Sequence, residues 1–447
     1  MSIVDKARHT AAVVLHQVTD NRAYANVALA KELAKGTWTD KDRRLVTELT
    51  YGAVKAWGTL DYILGCYTDR PLSKIAPMIR SILRIALYQI FFLDKIPPSA
   101  AVNTAVEMAK KYTHPGTVKF VNAVLRASVR SPEKAAYPTQ DKALYLSLQG
   151  FHPLWLVRRW LKQFGYEGTS RLIEFDNAPP YLSLRTNTLS TTPEELVTEL
   201  NALGGEACIS ELVPEGIIYR HGLPLESITP LKNGLCQVQD LSSMLVAHVM
   251  RPRSGEFIID ACSAPGGKTT HIAALMQNKG RILALDVHEH KLARVKENAA
   301  RLGISIIETK LADARRIGTE FHAQADRVLV DAPCSGLGVL RRRSDARWQK
   351  NSSMWRELLP LQRDILHSAA KAVKPGGILV YSTCTTEDSE NTAMVKNFLQ
   401  THTDFILEQT GNFLPRPNPE ASMVQLLPQR DGTDGFFIAR MRKTETN

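Results

Sequence analysis

From about residue 4 to residue 130 the apolar positions recur at helical spacing. Ile79, Leu83, Ala86, Leu87 and Ile90 follow the i, i+4, i+7, i+8, i+11 pattern of one buried helix face. Pro77 suits the first turn of that helix. Asp40 reads as the cap of a helix over Lys41–Tyr51, Ser99 as the cap of one over Ala100–Lys111, and Pro97-Pro98 as a break. No strand-like alternation interrupts the run, which predicts an all-helical bundle over residues 1–132. Between Ser131-Pro132 and Asp141 the pattern lapses into Pro, Lys, Thr and Gln, the composition of a linker.

The pattern then changes. A helical stretch at Pro153–Phe164 carries Arg158, Arg159 and Lys162 among Leu154, Trp155, Trp160 and Leu161. Tyr181–Thr186 alternates like a strand, Pro193–Leu203 reads as a helix ending at Gly204-Gly205, and Gly216–Tyr219 and Cys236–Val238 read as strands. These elements predict a small α+β module over 143–238, an RNA-binding unit or an adaptor. From 239 to 447 strands and helices alternate. Strands are expected at Phe257–Asp260, Arg281–Asp286, Ser305–Thr309, Arg327–Asp331 and Ile378–Cys384. Helices are expected at Leu241–Val249, Thr270–Gln277, His290–Leu302, Leu361–Val373 and Asn391–Thr401, and a β region ends the chain at Phe436–Met441. This is the signature of a doubly wound α/β domain.

Composition narrows the partner. At 447 residues the chain is too long for one core. Lys and Arg exceed Asp and Glu by 56 to 45, a net charge of +11 that favours a polyanion, nucleic acid first. The six cysteines lie far apart with no C-x-x-C pair, so neither a metal site nor a disulfide framework is expected. Scattered thiols suit a reducing cytoplasm. The longest apolar stretch, near Ile85–Leu93, contains Gln89 and is too short to span a bilayer, so no membrane association is expected.

The candidate chemistry gathers around Asp260-Ala-Cys-Ser-Ala-Pro-Gly-Gly-Lys-Thr-Thr270, a strand end, a glycine turn and a helix start. A Walker A loop would need glycine where Cys262 stands, and a dinucleotide fingerprint does not have adjacent glycines. Asp260, Asp286, Asp313 and Asp331 all fall at or just beyond expected strand ends, where such sheets bind ligands. Asp286 follows the glycine turn by about 20 residues, the separation of an acid that accepts from ribose hydroxyls. Asp313 is placed to accept from an adenine amine. Together these acids describe a nucleoside-bearing cofactor without a phosphate loop, which points to S-adenosyl-L-methionine. Two cysteines also sit at strand ends, Cys334 in Asp331-Ala-Pro-Cys334 and Cys384 in Ser382-Thr-Cys384, and would face one crevice. A helix starting after Cys384 would favour its thiolate. Spacing alone does not say which of the two thiols would act as a nucleophile.

Two resemblances extend this reading. Val102-Asn-Thr-Ala-Val-Glu-Met-Ala-Lys-Lys111 and Val118-Lys-Phe-Val-Asn-Ala-Val-Leu-Arg126 resemble the NusB family, which implies a helical RNA- or protein-binding domain. The loop at 260–270, Asp331-Ala-Pro-Cys-Ser-Gly-Leu-Gly338 and Tyr381-Ser-Thr-Cys384 resemble the RNA 5-methylcytosine methyltransferases. With a NusB-like domain in front, the chain is similar to the Sun/RsmB family of bacterial 16S rRNA methyltransferases; Ser263 stands where many relatives carry alanine. The fold expected is therefore multidomain: an all-α NusB-like bundle, a small α+β module and a Rossmann-like S-adenosylmethionine-dependent domain. The resemblance implies that Cys262, Ser263, Ala264, Pro265, Gly266, Gly267, Lys268, Asp286, Asp313 and Asp331 line the cofactor site. It makes Cys384 the nucleophile at cytosine C6, Cys334 the residue that helps release product, and Asp331 the residue that holds the base. The substrate would be a single-stranded or flipped cytosine of 16S rRNA, bound by a monomer, with Arg341-Arg-Arg343 a candidate phosphate grip. Rival readings are the same chemistry on tRNA or another RNA, a non-catalytic ribosome-assembly factor, and an amino-group methyltransferase. The last would carry [DN]-P-P-[YF] where this chain has Asp331-Ala-Pro-Cys334.

Overall fold

The helical pattern of the first third folds into helices Lys6–Asn21, Ala25–Leu33, Asp40–Lys55, Trp57–Gly65, Pro77–Phe92, Pro98–Lys110 and Pro115–Arg130. The computed structural model describes residues 5–220 and 224–445. It divides into two units: residues up to Asn177 with Arg342–Ser352, and Ala178–Arg341 with Ser353 onward.

In the first unit, helix Pro77–Phe92 is central. Its buried positions run from Ile79 to Gln89 with a single break at Arg80, so it is enclosed almost all round rather than along one stripe. Two polar side chains make this tolerable: Arg84 donates to both Asp61 oxygens at 2.7 and 2.8 Å, and Gln89 accepts from Arg8 Nε at 2.6 Å. Two caps differ from expectation. Thr39, not Asp40, accepts from Asp42 N and caps its helix, and Pro98 already stands inside the helix that Ser99 was expected to cap. The expected linker is also structured. A 3₁₀ turn at Pro132–Ala135 is stitched down by Tyr67 Oη to Ser131 O and Tyr62 Oη to Ala136 O. The span Leu154–Asn177 is two helical segments joined at Gly165, whose φ of 68° and ψ of −175° break the first helix directly after Phe164, where the sequence pattern ends it.

The unit is completed by Arg342–Ser352, far along the chain. Arg347, fully buried, donates to Phe151 O, Asn177 Oδ1 and Asp176 O. Trp348 Nε1 donates to Lys55 O, and Asp345 accepts from Ala25 N.

The second unit holds two sheets. Strands β1 (Leu182–Thr186), β2 (Ala207–Ile209), β3 (Gly216–Tyr219) and β4 (Cys236–Val238) form an antiparallel sheet in the order β2-β3-β1-β4. Helix Pro193–Ala202, with a Thr192/Glu195 capping box, packs on it through Leu196 and Leu200. The larger sheet contains β5 (Phe257–Asp260), β6 (Arg281–Asp286), β7 (Ile307–Leu311), β8 (Ala325–Asp331), β9 (Val373–Thr383), β10 (Phe405–Leu407), β11 (Val424–Leu426) and β12 (Phe436–Lys443). Its order is β10-β12-β9-β8-β5-β6-β7, with β11 paired to β12. The run from β7 to β9 is parallel, and β12 closes it antiparallel against β9. Buried clusters cover both faces, which is why the central strands read as continuous apolar runs. The chain leaves β5 for β6 and β7 on one side and returns to β8 and β9 on the other. That reversal opens a crevice at the carboxyl ends of β5 and β8.

Candidate active site

The loop after β5 is built to present backbone. Gly266 adopts φ +99° and caps helix Gly267–Leu275; a Cβ there would lie 3.2 Å from Val295 Cα. Ser263 donates both its N–H and its Oγ to Leu285 O on β6, at 2.8 and 2.9 Å. Asn298 donates to Pro265 O, and Arg185 from β1 donates to Gly267 O, to Thr270 Oγ1 and to Gln239. The Ala264-Pro265 peptide is cis. Beneath the loop Asp260 is buried and accepts from Thr269 Oγ1 at 2.7 Å; burial pushes its carboxyl up to about 7. Cys262 packs against the apolar core of the sheet, and burial raises its thiol well above the ordinary range. It is a small hydrophobe there and contributes shape rather than reactivity.

At the ends of β8 and β9 the chemistry is denser. Lys268 Nζ donates to Asp331 Oδ2 at 2.7 Å, and Ser382 Oγ donates to Asp331 Oδ1 at 2.8 Å. Burial by itself would lower the Lys268 ammonium, but Asp331 and then Cys384 outweigh it and hold it above its usual value. The Cys334 and Cys384 sulfurs lie 3.4 Å apart. The Cys384 sulfur, and after it burial, holds the Cys334 thiol well above its ordinary range, so Cys334 keeps its proton at neutral pH.

One expectation fails here. No helix begins after Cys384: Thr385–Glu387 is irregular and buried, a 3₁₀ turn spans Asp388–Glu390, and the next helix starts at Thr392. The nearby cation is instead Lys268, delivered from helix Gly267–Leu275. The other acids are placed unevenly. Asp286 is half-buried at the end of β6 and accepts from His288 N at 2.9 Å. Asp313, beyond β7, is gripped by Arg315, which donates from its backbone N, Nε and Nη2 and holds the carboxyl below its usual range. Arg341, first of the basic run Arg341-Arg-Arg343, donates to Ala178 O and Pro179 O over the Tyr181 ring.

Three comparisons bear on this geometry. Residues 247–442 match the model of the 16S rRNA methyltransferase RsmB/F family, residues 5–130 that of the NusB family, and residues 152–226 that of the ferredoxin-like domain of RsmF/B-like methyltransferases. "Probable ribosomal RNA small subunit methyltransferase B" of Bacillus subtilis (strain 168) is 40% identical over 98% of both chains. The chain belongs to the small-subunit ribosomal RNA methyltransferase B family. Ribosomal RNA small subunit methyltransferase B of Erwinia tasmaniensis is 32% identical over 99% of this chain and 100% of that one. Among solved structures, PH0851 superposes with a TM-score of 0.84 at 28% identity, covering 99% of this chain and 100% of its own. NSun6 from Pyrococcus horikoshii, solved with SFG, gives 0.59 at 26% identity over 65% of this chain and 97% of its own.

In this family member, sequence reasoning missed the residues that hold the two cysteine loops. Glu390, fully buried, accepts from Ser335 N and Gln362 Nε2 through Oε1 and from Trp355 Nε1 through Oε2. Gln362 also donates to Pro333 O, and Asn391 ties Thr383 Oγ1 to Thr385 O. Only the acidic run Glu387-Asp388-Ser389-Glu390 hinted at them, and such runs usually face solvent. Arg185 and Gln239 gave no local signal.

Proposed function

We propose that the protein methylates C5 of a cytosine in 16S ribosomal RNA through a covalent bond between Cys384 Sγ and C6 of the base. Family membership makes it an RNA methyltransferase that uses S-adenosyl-L-methionine, and the residues present suit that cofactor. Gly266 leaves a backbone cradle that a Cβ would fill, and the Asp286 carboxylate waits at the mouth for ribose hydroxyls. Cys262–Lys268, Asp286, Asp313 and Asp331 would hold it, and the cofactor supplies an electrophilic methyl group.

The observation that carries the mechanism is the pair of sulfurs 3.4 Å apart beside Lys268 and Asp331. C5 of cytosine is a weak nucleophile. A Cys384 thiolate, favoured by the Lys268 ammonium, adds its electron pair to C6 and makes C5 enamine-like. Asp331, fixed by Lys268 and Ser382, meets the base at N3 or the amino group, where charge develops. After methylation the C5–H pair closes the C5=C6 double bond as the C6–S bond breaks and its pair returns to Cys384 Sγ. Cys334, which retains its proton until then and stands beside the leaving sulfur, gives that proton to Cys384, and the Cys334 thiolate so formed takes the proton from C5. The cytosine must be single-stranded or turned out of its helix, at a cost of a few kcal/mol.

The test uses RNA containing 5-fluorocytosine, which blocks loss of the C5 substituent. Cys384→Ala is expected to abolish the denaturant-stable protein–RNA adduct. Cys334→Ala with unmodified RNA is expected to accumulate a trapped complex. The reverse pattern would exchange the two roles.

A further inference from the structure

Away from the crevice, three side chains with metal-ligating atoms meet inside the second unit. Glu215 lies just before β3, His248 on helix Leu241–Met250 and His271 on helix Gly267–Leu275. Glu215 Oε1 is 2.8 Å from His248 Nε2 and 2.6 Å from His271 Nε2, and the three ligand atoms all lie within 4.8 Å of one another. Among the described residues this is the one such group of three or more His, Cys, Asp or Glu.

The simplest alternative is a carboxylate hydrogen-bonded to two imidazoles. For His248 that holds, since its ring nitrogen and Glu215 Oε1 form a hydrogen bond. His271 reaches the same oxygen: its side chain is 1% exposed, and its Nε2 lies 2.6 Å from Glu215 Oε1. One carboxylate oxygen therefore faces two imidazole nitrogens at once, an arrangement that a shared cation would satisfy.

We propose that Glu215, His248 and His271 form a binding site for a divalent transition-metal ion, zinc by preference. Two imidazole nitrogens and one carboxylate oxygen are a zinc donor set, too soft for magnesium and too few in oxygen for calcium. The Glu215 oxygen stands 2.8 and 2.6 Å from the two imidazole nitrogens, closer than ligand atoms around tetrahedral zinc at bond lengths of about 2.0–2.2 Å, so binding requires these two contacts to open. His248, the most exposed of the three at 19%, leaves a side open through which an ion enters and a water can complete the coordination. The site would clamp the strand before which Glu215 stands to two helices of the larger sheet. One of those helices begins at Gly267 and carries the cofactor loop, so the ion would brace that loop from behind, without touching substrate. The sequence held no sign of it, because the three ligands are spread over 215–271 with no short metal-ligand spacing.

The experiment uses the full chain. The protein is stripped with chelator, incubated with zinc, freed of loosely bound ion by gel filtration and assayed for metal. About one equivalent of zinc per chain is expected to remain, and zinc is expected to raise Tm. His248→Gln, the least buried of the ligands, is expected to weaken zinc at least about tenfold and to remove the rise in Tm. If that variant folds poorly, cobalt substitution of the unaltered protein decides. Visible d–d bands without a thiolate charge-transfer band support a nitrogen–oxygen site, whereas a thiolate band places the metal on cysteine and overturns the proposal. So does failure to retain stoichiometric zinc, or retention of equal affinity by a folded His248→Gln.

Discussion

Asp260 shows how a single buried carboxyl sets a pH response. Burial raises it to about 7 against an ordinary value of 3.8, so the folded chain keeps a proton that the unfolded chain releases across that window. The sign follows: this contribution to stability is fully present below the unfolded value and is lost as pH rises toward 7. Urea unfolding of the cofactor-free protein at roughly pH 5 and pH 7.5 should show the wild type losing stability relative to Asp260→Asn. Equal slopes would mean that the buried carboxyl carries no such cost. Asp331 has both of its oxygens occupied, by Lys268 and Ser382. Asp331→Asn should leave the fold intact and lower kcat by about 100-fold or more, measured with saturating cofactor. The strand-end acids were legible as residues because carboxyl ends of strands are where α/β sheets bind ligands. Their individual environments were not. Nothing in the sequence distinguishes Asp260 beneath the loop from Asp286 at its mouth, or shows that Arg315 holds Asp313.

At the scale of elements, the two loops that meet in the crevice are held by different means. The first depends on a backbone conformation. Gly266→Ala forces a side chain into the left-handed region and toward Val295 Cα, and should cost about 1–3 kcal/mol of stability. Calorimetry should show a matching loss of cofactor affinity; unchanged binding would argue against the cradle. The second depends on a buried carboxylate. Glu390→Ala leaves Ser335 N, Gln362 Nε2 and Trp355 Nε1 without their acceptor and should destabilise the protein by about 3 kcal/mol or more in urea titration. Periodicity placed these elements to within a few residues and erred by one residue at the cap of helix Asp40–Lys55, which is Thr39 rather than the expected Asp40. The supposed helix start after Cys384 failed for a related reason. Thr385-Thr386-Glu387 has the composition of a cap, but all three residues are buried and Thr385 is bonded to Ser335 and Asn391 instead.

At the scale of the molecule, the first unit is assembled from two distant pieces of chain. Arg347 satisfies carbonyls of residues 151 and 176 and the side chain of Asn177, while Trp348 packs against the Cα of Gly58. Arg347→Ala should therefore lower the first thermal transition, and a fragment ending at residue 177 should be less stable than one to which residues 342–352 are added as a peptide. A fragment indifferent to the peptide would show that the segment is dispensable. The net charge of +11 should make RNA binding strongly salt-dependent. With about five phosphate contacts, affinity should fall roughly hundredfold between about 50 and 200 mM salt in a filter-binding assay. A flat profile would place recognition on base contacts alone.

The sequence by itself determined the order of helices and strands, the parallel core of the larger sheet, and the two motifs that bring Cys334 and Cys384 to strand ends. These follow from local period and from turn residues, which act over a few positions of chain. Only the tertiary structure decided which groups meet. The 3.4 Å sulfur pair, the Lys268–Asp331 contact, the Glu390 bracket and the Glu215–His248–His271 cluster each join residues from separate elements. Protonation, hydrogen bonding and charge depend on distance and burial in space, and neither quantity is written in the spacing of residues along the chain.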